Sequence, residues 1–210
     1  MKNIDILFGG KHLSKIVYKI LINNDHSKHI YDIKLKNKYF KGNYNFHNTE
    51  KKFNNLINNK ENKKFFYICI GDNMVRRNIY LKFRNINNLF FQNILAKNIT
   101  NEVNLNRKKG NIILSGCNLD YDVKIGNFNI INNSTTILHD SKIGDFNFIG
   151  PNVTICGTTI IKNNVFIGAG AIICPGVQIG NNSVIGAGAV IRHNVKNNSF
   201  VVGNPQRIKG

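Results

Sequence analysis

Residues 160–191 read IIKNNVFIGAGAIICPGVQIGNNSVIGAGAVI, and an isoleucine occupies every sixth position from Ile161 onward. Glycine often follows that isoleucine directly, and a small or β-branched residue stands four places after it, as at Val165 and Ala171. The same register runs back to residue 113 without an insertion, through the aliphatic positions Ile113, Leu119, Ile125, Ile131, Ile137, Ile143, Ile149 and Ile155. The second half of the chain is therefore a hexapeptide repeat.

A period of six fits neither the 3.6-residue turn of an α-helix nor the two-residue alternation of a simple strand. It fits a chain that makes one flat side and one corner every six residues, so that three sides close a coil of about 18 residues. The aliphatic residues then point inward in ladders, and glycines and asparagines tolerate the turn conformations of the corners. We expect a parallel β-helix of about five coils over residues 106–210. Ordinary sandwich strands would vary in length and lose this register.

The first half of the chain has a different pattern. IDIL (residues 4–7) predicts a strand that runs into the Gly9-Gly10 turn and a helix, SKIVYKILINN. Further strands are predicted near 30–35 and 65–70, the second leading into Gly71-Asp72-Asn73, with helices near 50–58 and over MVRRNIYLKF. Alternating strands and helices predict a small parallel sheet over residues 1–105, with ligands bound beyond the carboxyl ends of its strands.

Composition indicates where in the cell the chain works and in what state its cysteines are. The 210 residues have an ordinary hydrophobic fraction of 42 % and resemble neither a signal peptide nor a membrane span, which predicts a cytoplasmic protein without a membrane partner. The four cysteines lie far apart in apolar runs and are expected to be buried free thiols: Cys69, Cys117, Cys156 and Cys174.

The formal net charge is +18, from 29 basic and 11 acidic side chains, and such a balance attracts polyanions. The lysines are scattered among asparagines and show no regular interleaving with aromatic residues, which argues against a nucleic-acid partner. The charge instead favours small polyanions such as CoA or a sugar nucleotide.

The stretch from residue 112 to the end resembles the left-handed β-helix of the hexapeptide-repeat acyltransferases. NNSTTILHDSKIG, residues 132–144, is similar to the motif of sugar-nucleotide N-acetyltransferases that act in bacterial glycan synthesis, including those of the bacillosamine and perosamine pathways. The resemblance implies that His139 is the general base, that Asp140 orients it, and that Asn132 belongs to the substrate site. An imidazole beside a carboxylate suits amide formation from a thioester.

In that family the N-terminal domain binds the nucleotide through a loop of the type G-x-G-G-H. This sequence keeps Gly9, Gly10 and His12 but has Lys11 where a glycine is usual. The resemblance thus implies a nucleotide-sugar site at these residues, with Asp72 and Asn73 of the second turn.

The resemblance also implies acetyl-CoA as co-substrate, no metal, and a homotrimer whose neighbouring subunits share the acyl-CoA cleft. The oxyanion donor maps onto the backbone N–H of Gly157, and further contacts to the pantetheine arm map onto Ala169 and Ala187. Phe148 stands where some relatives carry a second histidine. The terminal VVGNPQRIKG segment is expected to form part of the CoA site of a neighbouring subunit, where Arg207 or Lys209 would either meet a CoA phosphate or project into solvent.

Two alternatives remain at this point. A sugar O-acetyltransferase, for example one acting on sialic acid, would use the same base on a hydroxyl group. A non-catalytic β-helix scaffold would keep the fold without the chemistry.

Overall fold

The computed structural model describes residues 3–9, 11–32, 44–59, 61–100 and 104–209. The chain forms two compact units, Met1–Asn93 and Ile94–Gly210.

Among the described residues, the first unit contains a five-stranded, fully parallel sheet, called sheet A, in the order β3-β2-β1-β4-β5. The predicted small parallel sheet is therefore confirmed. The short strands β3 and β5 were not predicted, because three-residue edge strands are too short to show a periodic pattern. The elements are β1 (Ile4–Phe8), α1 (Lys11–Leu21), β2 (Ser27–Tyr31), β3 (Asn45–His47), α2 (Glu50–Asn58), β4 (Lys64–Ile68), α3 (Asn73–Phe83) and β5 (Leu89–Phe91).

An aromatic cluster forms the core of this unit. Phe53 lies 5.4 Å from Phe8 and 5.5 Å from Phe83, measured between ring centroids in edge-to-face geometry. Ile6 and Leu7 of β1 are fully buried. The chain order reverses direction between β1 and β4, so the turns after these two strands are neighbours at the carboxyl edge, where parallel sheets bind ligands.

The second unit is a parallel β-helix built from two-residue strands, one for each hexapeptide, with the three-residue strands β21 and β22 at its end. Its strands are β6 (Ile94–Leu95), β7 (Ile112–Ile113), β8 (Asn118–Leu119), β9 (Lys124–Ile125), β10 (Ile130–Ile131), β11 (Thr136–Ile137), β12 (Lys142–Ile143), β13 (Phe148–Ile149), β14 (Thr154–Ile155), β15 (Ile160–Ile161), β16 (Phe166–Ile167), β17 (Ile172–Ile173), β18 (Gln178–Ile179), β19 (Val184–Ile185), β20 (Val190–Ile191), β21 (Phe200–Val202) and β22 (Arg207–Lys209).

These strands form three sheets, which are the three sides of the coil. Sheet B has the order β22-β21-β19-β16-β13-β10-β7-β6, sheet C has the order β20-β17-β14-β11-β8, and sheet D has the order β18-β15-β12-β9. The pairing is parallel except between β21 and β22. The second residue of each repeat strand points inward, and Ile137, Ile149, Ile155 and Ile173 are fully buried. Each such burial stabilises the fold by about 1.5–3 kcal/mol.

Glycines and asparagines occupy turn conformations at several corners, as expected, including Gly170, Gly176 and Asn182, but the glycines of the I-G pairs do not. The left-handed residue of each corner stands three places after the inward aliphatic residue, and most of these are not glycine. Their φ angles lie between 55° and 59° for Asp122, Phe128, Ser134, Asp140, Phe146, Asn152, Thr158 and Asn164. The I-G glycines serve close packing instead, since a Cβ on Gly168 would stand 2.4 Å from the Ala187 nitrogen of the next coil.

Candidate active site

The corner between sheets C and D, called the CD corner, carries the predicted catalytic histidine. His139 follows β11 and Gly157 follows β14, and the two strands pair in register as Ile137 with Ile155. That register places one residue directly above the other on successive coils. Tyr121, from the preceding coil, completes the stack.

His139 and Asp140 form a hydrogen-bonded pair at this corner. The His139 Nδ1 lies 2.9 Å from the Asp140 Oδ2, and the two side chains are 41 % and 50 % exposed. At that exposure the ion pair adds little stability, so its effect is to orient the ring. With the Nδ1 proton donated to the carboxylate, the neutral imidazole presents its lone pair at Nε2.

Gly157 lies against the Nε2 edge of that ring. A Cβ built on Gly157 would stand 2.6 Å from His139 Nε2 and 2.7 Å from His139 Cε1. Gly157 is buried, and no described residue accepts a hydrogen bond from its backbone N–H. An N–H without a protein partner pairs with solvent or ligand. The His139 imidazole and a residue with an unpaired N–H therefore lie next to each other, an arrangement suited to acyl transfer.

Tyr121 is the member of this site that sequence reasoning missed. Its ring stacks on the His139 imidazole with centroids 5.3 Å apart and an interplanar angle of 9°. The Tyr121 ring covers one face of the His139 imidazole, and the Asp140 carboxylate fixes the imidazole through the hydrogen bond at Nδ1. The signal was present in the sequence, because Tyr121 stands one coil of about 18 residues before His139.

Asn132, Ala169 and Ala187 lie at another corner, between sheets B and C, called the BC corner. They follow β10, β16 and β19 respectively. The Asn132 side chain donates to the Ile149 carbonyl at 2.8 Å and so braces the wall of the helix. The backbone N–H groups of the exposed Ala169 and Ala187 donate to none of the described residues. One chain therefore does not bring these three residues to His139.

Phe148, at the position of the second histidine of some relatives, stacks on Phe166 with centroids 5.0 Å apart. In the terminal hairpin, Arg207 and Lys209 are exposed on β22. Their contact with CoA stays a prediction.

In the first unit, Gly9 begins the turn after β1 with a φ of +72°, and its carbonyl accepts a hydrogen bond from the buried Ser14 hydroxyl. Gly10 lies outside the described residues. His12 is exposed on the first turn of α1. Gly9 and the turn after β4 lie side by side, because β1 and β4 are neighbours.

The turn after β4 is held by its own polar residues. Asp72 caps α3 by accepting from the Val75 N–H at 2.9 Å, and Asn73 Oδ1 accepts from Arg76 Nη2 at 2.7 Å. The fully buried Arg76 also donates to the carbonyls of Ile70 and Gly71. Burial lowers the pKa of Arg76, and the nearby Asp72 carboxylate partly offsets this. Asp72 and Asn73 thus shape the turn, and their contact with substrate stays a prediction.

All four cysteines are free. Cys69 and Cys117 are buried as predicted, whereas Cys156 and Cys174 are only half-buried, because they precede corner residues at the surface of the coil. Within the described parts of the chain, no cluster of three histidine, cysteine or acidic side chains is arranged to hold a metal ion. None of the helices described combines the length and apolarity needed to cross a bilayer.

Comparison with known families supports the repeat. The bacterial transferase hexapeptide model, which describes six repeats, matches residues 122–157 and again residues 158–193. No curated protein matches the sequence.

Solved structures share the fold over the whole chain. GDP-perosamine N-acetyltransferase of Caulobacter crescentus, a histidine-to-alanine variant with CoA and GDP-perosamine, matches with a TM-score of 0.82 at 21 % identity, covering 100 % of this chain and 98 % of that one. The acetyltransferase domain of PglB from Neisseria gonorrhoeae, with acetyl coenzyme A, matches with a TM-score of 0.86 at 20 % identity, and the match covers 100 % of both chains. WeeI from Acinetobacter baumannii gives 0.78 at 22 % identity, also covering 100 % of both. The predicted α/β domain followed by a left-handed β-helix is confirmed.

Proposed function

We propose that this chain, which has the fold of the hexapeptide-repeat sugar acetyltransferases, transfers the acetyl group of acetyl-CoA to the amino group of a nucleotide-linked amino-deoxy sugar. The observation that carries the proposal is the CD corner. There, Nε2 of an Asp140-bound imidazole lies close to Gly157, whose backbone N–H has no acceptor among the described residues. The solved structures of this fold include enzymes named for N-acetylation of such a sugar, with CoA and GDP-perosamine bound.

The reaction follows from that geometry. The sugar amine attacks the thioester carbon as His139 Nε2 takes its proton, and Asp140 stabilises the imidazolium that forms. The Gly157 N–H donates to the oxyanion of the tetrahedral intermediate. When the carbon–sulfur bond breaks, the imidazolium returns the proton to the departing CoA sulfur, so that amide and free thiol leave together.

The proposal is tested by a screen with acetyl-CoA against GDP-, UDP- and dTDP-linked 4-amino sugars, with release of the CoA thiol as readout. GDP-linked sugars come first because the Caulobacter enzyme binds GDP-perosamine. A matched set in which a hydroxyl replaces the amine separates N- from O-acetylation. Thiol release with the hydroxyl set alone would favour the O-acetyltransferase, and release with neither would favour a scaffold.

We also propose a homotrimer with the active site between subunits. A single acetyl-CoA that contacts His139, Gly157, Ala169 and Ala187 has to reach two corners on either side of sheet C. If sheet C faces a three-fold axis, the BC corner of one subunit lies opposite the CD corner of the next. Asn132 then also approaches the base of its neighbour. This arrangement suits a bacterial, cytoplasmic enzyme with access to acetyl-CoA and nucleotide sugars.

The trimer predicts that Ile172→Glu will dissociate the protein. Ile172 is the outward residue of β17 in sheet C and is 41 % exposed, so a glutamate there would bring three like charges toward the axis. We expect sedimentation to show a species of about 70 kDa for the wild type, three times the 23.8 kDa chain. Lys196→Glu, at an exposed position outside sheet C, is the control. An unchanged trimer in Ile172→Glu would place the contact elsewhere.

Two further substitutions separate the two substrates. Gly10→Val, at the second glycine of the predicted nucleotide-binding motif, is expected to raise the KM for the nucleotide sugar and leave the KM for acetyl-CoA nearly unchanged. Ala187→Leu, at the BC corner, is expected to do the reverse, because its side chain would enter the space of the pantetheine arm. Steady-state kinetics with each substrate varied in turn measures both. Loss of both affinities in a folded Gly10→Val protein would contradict a separate nucleotide module.

A further inference from the structure

A cationic groove runs along sheet D beside the CD corner. Its volume is about 900 Å³, and the charged side chains of its lining are five bases and one acid: Arg107, Lys108, Lys124, Lys142, Lys162 and Asp122. Lys124 and Lys142 also line an adjoining hollow of about 500 Å³ that includes Asp140 and Thr158. The groove therefore continues up to the residue that orients the proposed base.

Two of these lysines lie directly opposite each other on neighbouring strands. Lys124 is the outward residue of β9 and Lys142 that of β12, and the strands pair in register with Lys142 opposite Lys124. Neighbouring strands are about 4.8 Å apart, so two exposed ammonium groups project side by side from one sheet. Like charges placed directly opposite each other destabilise a sheet.

Within the described residues, no carboxylate lies within 4.0 Å of either ammonium group. The nearest acids along the chain are Asp122, two residues before Lys124, and Asp140, two residues before Lys142 and engaged with His139 at 2.9 Å. The β-helix would tolerate an apolar residue at these outward positions, as it does at Ile160 on β15 of the same sheet. The paired lysines are thus not required by the fold.

We propose that Lys124 and Lys142 bind a pyrophosphate group in this groove, with Arg107 completing the site. Pyrophosphate carries several negative charges on closely spaced oxygens, which suits two parallel ammonium groups and one guanidinium. Lys142 stands three residues after His139. A pyrophosphate bound here would therefore hold a phosphorylated substrate with its reactive end at the CD corner. Both substrates of the proposed reaction, CoA and the nucleotide sugar, carry a pyrophosphate. The identity of the carrier rests on the proposed function, whereas the binding of pyrophosphate does not.

The test is isothermal titration calorimetry of the full chain with inorganic pyrophosphate, CoA and GDP, at low and at physiological salt. We expect the wild type to bind pyrophosphate, more weakly as salt screens the charges. Lys124→Gln or Lys142→Gln should weaken that binding on the order of 10-fold, and the double variant on the order of 100-fold, as expected for lost charge-assisted hydrogen bonds. The double variant should bind either CoA or GDP more weakly by a similar factor. The probe that loses affinity identifies the substrate whose pyrophosphate binds in the groove.

Lys196→Gln is the matched control, because it removes one exposed lysine of the β-helix that does not line the groove. Pyrophosphate affinity should be unchanged in this control, and circular dichroism should show every variant folded. Full affinity for all three probes in the double variant would overturn the proposal, as would an equal loss in Lys196→Gln or no pyrophosphate binding by the wild type. If the groove variants lose affinity for pyrophosphate but the wild type acetylates no amino sugar, the pyrophosphate site is supported and the proposed function is contradicted.

Discussion

Replacing His139 with alanine is expected to lower kcat by about 10²- to 10⁴-fold, the usual effect of losing a general base. The side chain is 41 % exposed and lies at a corner outside the isoleucine ladders, so the β-helix should stay folded. In the proposed reaction, the sugar amine would then have to lose its proton to water. Steady-state thiol release at neutral pH measures kcat, and circular dichroism monitors the fold.

Asp140→Asn is the graded control for this experiment. The amide keeps the size of the side chain and can still hydrogen-bond to Nδ1, but it loses the charge that stabilises the imidazolium. Its kcat should fall less than that of His139→Ala. Near-wild-type turnover in His139→Ala would mean that another group takes the proton.

The second large effect is expected from Gly157→Ala, which should lower kcat by about 10²-fold, the size of effect that a displacement of about 1 Å produces. A Cβ would stand 2.6 Å from His139 Nε2, well inside van der Waals contact, so the imidazole ring has to move away from residue 157. Gly157 does not have a positive φ, and the backbone therefore accepts alanine without strain. The measurement is again kcat for thiol release, together with thermal unfolding.

A double-mutant cycle isolates the cause. In a His139→Ala background, the imidazole that would clash is gone, and Gly157→Ala should cost far less than it does in the wild type. Additive losses would show that the methyl group acts independently of the ring, for example by blocking the Gly157 N–H directly.

Several features of this protein were determined by the sequence alone. The period of six from Ile113 to Ile191 predicts a parallel β-helix because only a coil with a corner at every sixth residue turns all of these side chains inward. The alternation of apolar strands and helices in the first half likewise predicts the parallel sheet. The resemblance of residues 132–144 to a family motif likewise predicts that His139 is a general base and Asp140 its partner.

Only the tertiary structure decided which side chains make contact within a corner. Tyr121, His139 and Gly157 stack because hydrogen bonds between successive coils set their register, and this relation joins residues about 18 positions apart. The same register sends Asn132, Ala169 and Ala187 to a different corner, although Asn132 and His139 belong to one short motif. It also brings Lys124 and Lys142 side by side. Local pattern determines whether a residue points inward or outward, whereas the stacking of coils determines its neighbours.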